Sequence, residues 1–200
     1  MVDDLGLPLP AEDFAIRWGE QFFSLVDRSN HDDFRTLVEC EHESLRATVA
    51  TFGRRIDTEP YVRILEDYWR APPIHGDVLD AVARLPLPVC IVSNADAAAA
   101  HAAIAAHGLR FDHIVTSEDA RCYKPCPAIF EYALQRTGWR RERVVHVGDS
   151  LHSDIAGAHA AGLRSAWICR DERIHDIGSC TPHHRFCDLL GLVDLFNGQA

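Results

Sequence analysis

The sequence predicts an α/β fold: an open parallel sheet flanked by helices and preceded by an all-helical segment. Three observations predict it. Apolar residues recur at helical spacing over residues 11–70, with no β-alternation between them. From residue 77 onward, short apolar runs alternate with helical stretches, the pattern of parallel strands joined by crossover helices. Ala71-Pro72-Pro73-Ile74-His75-Gly76 separates the two regimes, because Pro-Pro and Gly end a helical pattern.

In the first regime Phe14, Trp18, Phe22 and Leu25 share one helical face. Phe34, Val38, Leu45, Val49 and Phe52 form a second face, and Val62, Leu65 and Trp69 a third. The expectation is a bundle of three helices over residues 1–72 and an α/β domain over residues 73–200. In the second regime Asp77–Arg84 reads as a short helix and Pro88–Val92 as a strand buried on both faces. A helix over Ala97–His107 closes at Gly108. A strand over His113–Thr116 and a helix over Ala128–Thr137 follow, then a strand over Arg143–Val147. A helix over Asp154–Ala161, a strand over Ser165–Cys169 and an amphipathic tail over Phe186–Phe196 complete the chain.

Composition sets outer limits. Apolar residues make up 47% and charged residues 25%, as in an ordinary globular protein. A net charge of −10 excludes a dedicated nucleic-acid binder, which needs a basic face. No run reaches the roughly 18 apolar residues of a membrane span, so no membrane partner is expected. The start lacks the basic and apolar regions of a signal peptide, and the seven cysteines are an odd number, so reduced thiols in a cytoplasmic protein are expected. Lys124 is the one lysine, every other cationic side chain apart from histidine being arginine. A lone ammonium in such a background marks a place where a guanidinium does not serve.

Ligands of open parallel sheets sit at the carboxyl ends of the strands. There the first strand gives Ser93 and Asn94, which read as an anion site at a helix start or as ordinary caps. Lys124 lies in the loop after the second strand and can neutralise an anion. The third strand ends in Gly148-Asp149, with Asp154 five positions beyond Asp149. The two carboxylates suit a hard cation such as magnesium, although Asp154 equally suits a helix cap. Hydroxyl, ammonium and paired carboxylates together are what phosphoryl transfer requires.

These residues resemble the motifs of the haloacid dehalogenase (HAD) superfamily of hydrolases. Ser93-Asn94 is similar to its second motif, Tyr123-Lys124-Pro125 to its third, and Gly148-Asp149-Ser150 with Asp154 to its fourth. The resemblance implies a Rossmann-like parallel sheet (an HAD-like core lacking its first strand) with an α-helical cap. It implies that Ser93, Asn94 and Lys124 bind phosphate, with Ser93 and Lys124 acting in catalysis, and that Asp149 and Asp154 form the Mg2+ site, Asp149 binding the ion and Asp154 supporting either the metal or Lys124. The family's first motif, an apolar strand ending in Asp-x-Asp-x-Thr that carries the nucleophile, has no counterpart. Asp3 and Asp4 are adjacent and follow no strand. The expectation is therefore an N-terminally truncated hydrolase, foremost a magnesium-dependent phosphatase of a small phosphorylated metabolite. The alternatives are a catalytically inactive binding protein and a 2-haloacid dehalogenase-like enzyme. Arg54, Arg55 and Arg63 read as a solvated face. Cys180, His183, His184 and Cys187 lack a common zinc spacing, and Cys122 and Cys126 read as unrelated thiols.

Overall fold

The computed structural model describes residues 1–170 and 180–197. Four helices come first: α1 (Val2–Leu5), α2 (Ala11–Arg28), α3 (Leu37–Ala50) and α4 (Glu59–Arg70). The chain then runs through α5 (Val78–Arg84), β1 (Cys90–Ser93), α6 (Ala97–Ala106) and β2 (His113–Thr116). The short α7 (Ser117–Ala120), α8 (Pro127–Thr137) and β3 (Val145–Gly148) follow. One π-helical stretch (Leu151–Ala156) leads into α9 (Gly157–Ala160), and β4 (Arg164–Ile168), β5 (His184–Phe186) and α10 (Leu189–Asn197) come last.

All strand pairings are parallel, as the alternation predicts, and they fall into two sheets. β1 pairs with β2 in the register Cys90 with His113 through Ser93 with Thr116. The order β3-β4-β5 forms the other sheet, with Val145 opposite Arg164 and Ala166 opposite His184. β1 and β3 are not hydrogen-bonded to each other. This explains one departure from expectation. The run ending at Val92 reads as a doubly buried strand, yet every residue of β1 and of β3 is only half-buried. Each is an edge strand of its sheet, and no strand among the described residues lies between them.

Two further differences have local causes. The helix expected from Asp154 begins earlier, at Leu151, because the Ser150 carbonyl accepts from both the Asp154 and Ile155 amides. The short β5 escapes a periodicity reading because three residues carry too little pattern.

The apolar interior has three parts. Phe14, Leu45, Val49 and Val62 pack together in the helical layer. Val115, Cys122, Ile129, Phe130 and Ala158 pack between the sheets and their helices. A third cluster joins the two layers: Tyr123, 2% exposed, inserts among Leu25, Val26 and Cys40. Its ring stacks on Phe34 at 5.3 Å, and its hydroxyl donates to the Arg35 carbonyl at 2.7 Å.

The start of α3 shows how the layers dock. A helix begins with four amides that lack intrahelical acceptors. The Asp96 carboxylate, from the turn after β1, accepts from Leu37 and Val38 at 2.7 and 3.0 Å. A capping box completes the set, the Thr36 hydroxyl accepting from the Glu39 amide and the Glu39 carboxylate from the Thr36 amide. A residue 58 positions away in sequence thus serves as a cap for this helix. Asp96→Ala is expected to lower stability by about 1–2 kcal/mol, the value of a lost cap. Urea denaturation measures this, and an unchanged midpoint would show that water replaces the carboxylate without loss.

Candidate functional site

The site forms where β1, the loop after α7 and the start of the π-helical stretch converge. Asn94, immediately after β1, clamps the backbone of Lys124 from both sides. Its amide nitrogen donates to the Lys124 carbonyl at 3.0 Å, and its oxygen accepts from the Lys124 amide at 2.7 Å. The loop is also tied to the helical layer, since Asn30 accepts from the Tyr123 amide at 2.8 Å. With its backbone fixed, the Lys124 ammonium donates to the Val92 carbonyl of β1 at 2.9 Å and to Asp154 Oδ1 at 2.7 Å. It therefore bridges the two sheets.

Asp154 is buried, and every lone-pair direction that counts is engaged. Oδ1 accepts from Lys124 and from His146 Nε2 at 3.0 Å, while Oδ2 accepts from the Ser150 amide at 3.0 Å. Burial pushes its carboxyl up, but the His146 hydrogen bond and the Lys124 charge outweigh that and hold it well below the usual carboxylate range. For His146, burial wins. Its pKa lies below the ordinary value despite the neighbouring Asp154, so at neutral pH it is a neutral ring donating through Nε2. The edge of that ring meets Phe130 at 4.9 Å. Gly148 makes room for the whole group, since a Cβ there would overlap the Asp154 side chain.

The residues picked out in the sequence divide accordingly. Asn94, Lys124 and Asp154 come together, Asn94 on the Lys124 backbone and Asp154 on its ammonium, while Ser93 ends β1 next to Asn94. Asn94 uses its side chain on the Lys124 backbone, which leaves only its main-chain amide for a ligand. The expected magnesium pair separates in role. Asp154 supports Lys124, and Asp149 is exposed beyond β3, its carbonyl accepting from the Trp167 indole at 3.0 Å. Among the described residues, no group of three His, Cys, Asp or Glu side chains could hold a metal ion. Of the expected pair, the inner carboxylate is thus committed to Lys124, His146 and Ser150, and the outer one lies exposed at the end of β3. Arg54, Arg55 and Arg63 are exposed, and Asp3 and Asp4 lie exposed in α1.

Sequence reasoning missed His146 and Asp96. A histidine in the apolar run Val144-Val145-His146-Val147 is the signal that could have exposed the first. It also missed Glu41, an acid 4% exposed within α3. One oxygen of Glu41 accepts from the Trp69 indole at 3.2 Å, and the other is buried without a partner. Burial pushes its pKa up to about 7, with Asp96 and Glu66 adding to the rise and Trp69 opposing it. Glu41 thus stands near the turn that docks the two layers.

A model of the haloacid dehalogenase-like hydrolases matches residues 4–162. The chain belongs to this family. The (S)-2-haloacid dehalogenase of Pseudomonas sp. strain YL is 27% identical over 177 residues, covering 86% of this chain and 76% of that one. The pyrimidine 5'-nucleotidase YjjG of Escherichia coli strain K12 is 28% identical over 174 residues, covering 82% and 74%. The HAD-hydrolase YfnB of Bacillus subtilis, solved bound to magnesium, superposes with a TM-score of 0.77 at 22% identity over 98% of this chain and 87% of that one. That likeness shows the fold: parallel sheets with helices in the HAD-like arrangement.

Two outcomes follow from the electrostatics. Lys124→Met leaves Asp154 a buried carboxylate without its cation and is expected to cost about 3–5 kcal/mol at pH 7. The loss shrinks at acid pH as Asp154 takes up a proton, and denaturation at pH 7 and pH 3 measures the difference. Glu41 works in the opposite sense. Its folded pKa lies above the ordinary 4.5, so the stability present below pH 4.5 is lost as pH rises through about 7. Glu41→Gln removes that loss. It should gain up to about 3 kcal/mol over the natural chain at pH 8 and nothing at pH 4. Equal stabilities at both pH values would contradict this placement of Glu41.

Proposed function

We propose that this chain supplies the cap and the anion-holding part of a metal-independent hydrolase acting on a short 2-haloacid. One observation carries the reading: the Asp154 carboxylate is engaged by Lys124, His146 and Ser150, which supports a site organised by an ammonium. An ammonium has three N–H donors. Two are committed, to Val92 and Asp154. The third is suited to the carboxylate of a 2-haloacid, with the Ser93 hydroxyl and the Asn94 main-chain amide at the end of β1 as further donors. The 27% identity to an (S)-2-haloacid dehalogenase supports the same choice.

Hydrolytic dehalogenation needs a carboxylate that attacks the halogen-bearing carbon and expels halide, forming an ester that water then cleaves. Asp154 is the carboxylate paired with Lys124 among the described residues, and its hydrogen bonds leave it no freedom to attack. We assign the nucleophile to a further apolar strand between β1 and β3, where the two edge strands are half-buried. The helical layer over residues 1–72 then acts as the cap that closes on the substrate.

A second reading, a phosphatase of a small phosphorylated metabolite that uses Mg2+, draws on the exposed Asp149 at the end of β3 and on the 28% identity to a nucleotidase. One set of measurements separates the two. Under the proposed function, 2-chloropropionate binds the chain in the presence of EDTA, binding is lost in Lys124→Met, and Asp149→Asn leaves it unchanged. Chloride release then begins when an apolar strand ending in Asp is supplied. Magnesium-dependent release of p-nitrophenol from p-nitrophenyl phosphate, abolished in Asp149→Asn, would overturn it in favour of the phosphatase.

A further inference from the structure

A second cluster of reactive side chains lies at the opposite end of the sheet. His159 of α9, Ser165 near the start of β4, and Cys180 and His183 ahead of β5 form a connected chain of contacts. Cys180 Sγ stands 3.2 Å from His159 Nδ1. His159 Nε2 stands 2.8 Å from Ser165 Oγ. Ser165 Oγ stands 3.2 Å from His183 Nδ1, and the same nitrogen receives the Ser165 main-chain amide at 3.2 Å. The two imidazole rings meet edge to face at 5.0 Å.

A main-chain amide fixes one proton position in this chain. A main-chain N–H can only donate, so His183 Nδ1 carries no proton. In the arrangement the proposal below assigns, the Ser165 hydroxyl is a second donor to that nitrogen. The lone pairs of that hydroxyl accept from His159 Nε2, which therefore carries the ring proton. His159 Nδ1 is left bare and faces the Cys180 thiol, which donates to it. Ser165 is fully buried, so water does not compete for its hydroxyl. Burial and the nearby His183 hold the His159 pKa below its ordinary value, so at neutral pH the ring is a neutral acceptor.

This is the arrangement of a nucleophile, a base and a group that orients the base. The other cysteines lack it. Cys40 and Cys122 are buried, and burial pushes the Cys90 thiol up to about 11. Cys126 lies 3.9 Å from His31, which is exposed and unoriented by a second partner among the described residues. Cys169 receives Arg185 at 3.2 Å, a cation but not a base. Cys187 is exposed.

We propose that Cys180, with His159 as its base, is a thiol-exchange site that takes up a low-molecular-weight disulfide. The thiol proton passes to His159 Nδ1, and the sulfur attacks one sulfur of the disulfide. The disulfide's S–S bond breaks as the bond to Cys180 Sγ forms. The expelled thiolate leaves with the proton from His159, so one disulfide is consumed and one mixed disulfide and one thiol appear. Ser165 is a positioning residue that keeps the His159 ring in the tautomer this transfer requires.

The test uses the full chain, with 4,4'-dithiodipyridine as the neutral disulfide and peptide mass spectrometry to locate the label. Cys180 should react first at pH 7. His159→Gln should slow its labelling by at least about tenfold, and the residual rate should then rise with pH up to the ordinary thiol range near about 8.5. Ser165→Ala leaves the thiol and the ring in place, so it tests the relay should His159→Gln fail to fold. It should slow labelling of Cys180 and move the same pH profile. First labelling at Cys187, Cys169 or Cys126, or an unchanged rate and pH profile at Cys180 in both variants, would overturn the proposal.

Discussion

The ion pair between Lys124 and Asp154 is the interaction on which the rest of the core depends. It links two sheets that share no ladder of hydrogen bonds, with its cation on the Val92 carbonyl of one and its anion held by His146 of the other. Buried pairs of this kind are weak sources of net stability, because both charges must leave water. What they give is geometry. Asn94 fixes the Lys124 backbone, Asn30 and Arg35 fix the adjoining Tyr123, and Asp96 caps α3. The loop that carries the cation is therefore also the hinge point between the helical layer and the sheets.

That same pair decides the chemistry the site can support. A carboxylate that accepts three hydrogen bonds and sits well below the usual carboxylate range is a permanent anion, suited to holding an ammonium and unsuited to giving it up to a metal. The ammonium keeps one donor for a ligand. One spare cationic donor suits a small anion, which is the basis of the function proposed above.

Much of this was legible in the sequence because strand ends and loop chemistry are local. The 3.6-residue pattern gave α2, α3 and α4, and the apolar runs gave β1 to β4 within two residues. Lys124 stood out by composition alone. What the sequence leaves open is tertiary. It leaves Asp154 as a support for either a metal or Lys124, and the contacts with Lys124 and His146 exist only once those residues fold onto it. The indoles of Trp69 and Trp167 donate to Glu41 and to the Asp149 carbonyl, contacts that sequence spacing does not announce. A buried acid such as Glu41, midway along an amphipathic helix, has no sequence signature, because its burial depends on what packs against that face.

A common rule underlies the polar networks in the molecule. Main-chain amides can only donate, so wherever one enters a side-chain network it fixes the polarity of everything beyond it. The amides of Leu37 and Val38 require Asp96 to present acceptors, which makes the turn after β1 the natural seat for α3. The Ser150 amide occupies Asp154 Oδ2 and leaves Oδ1 to take both Lys124 and the His146 ring proton. The Ser165 amide requires a bare Nδ1 on His183, and the Ser165 hydroxyl links that ring to His159 and so to Cys180. At one end of the sheet this fixing yields a charged pair with a spare donor. At the other it yields a neutral relay with a spare acceptor. The difference arises because the first network contains an ammonium and a carboxylate, whose charges compensate. The second contains only groups that are neutral when their protons are in these positions, so at rest it carries no buried charge.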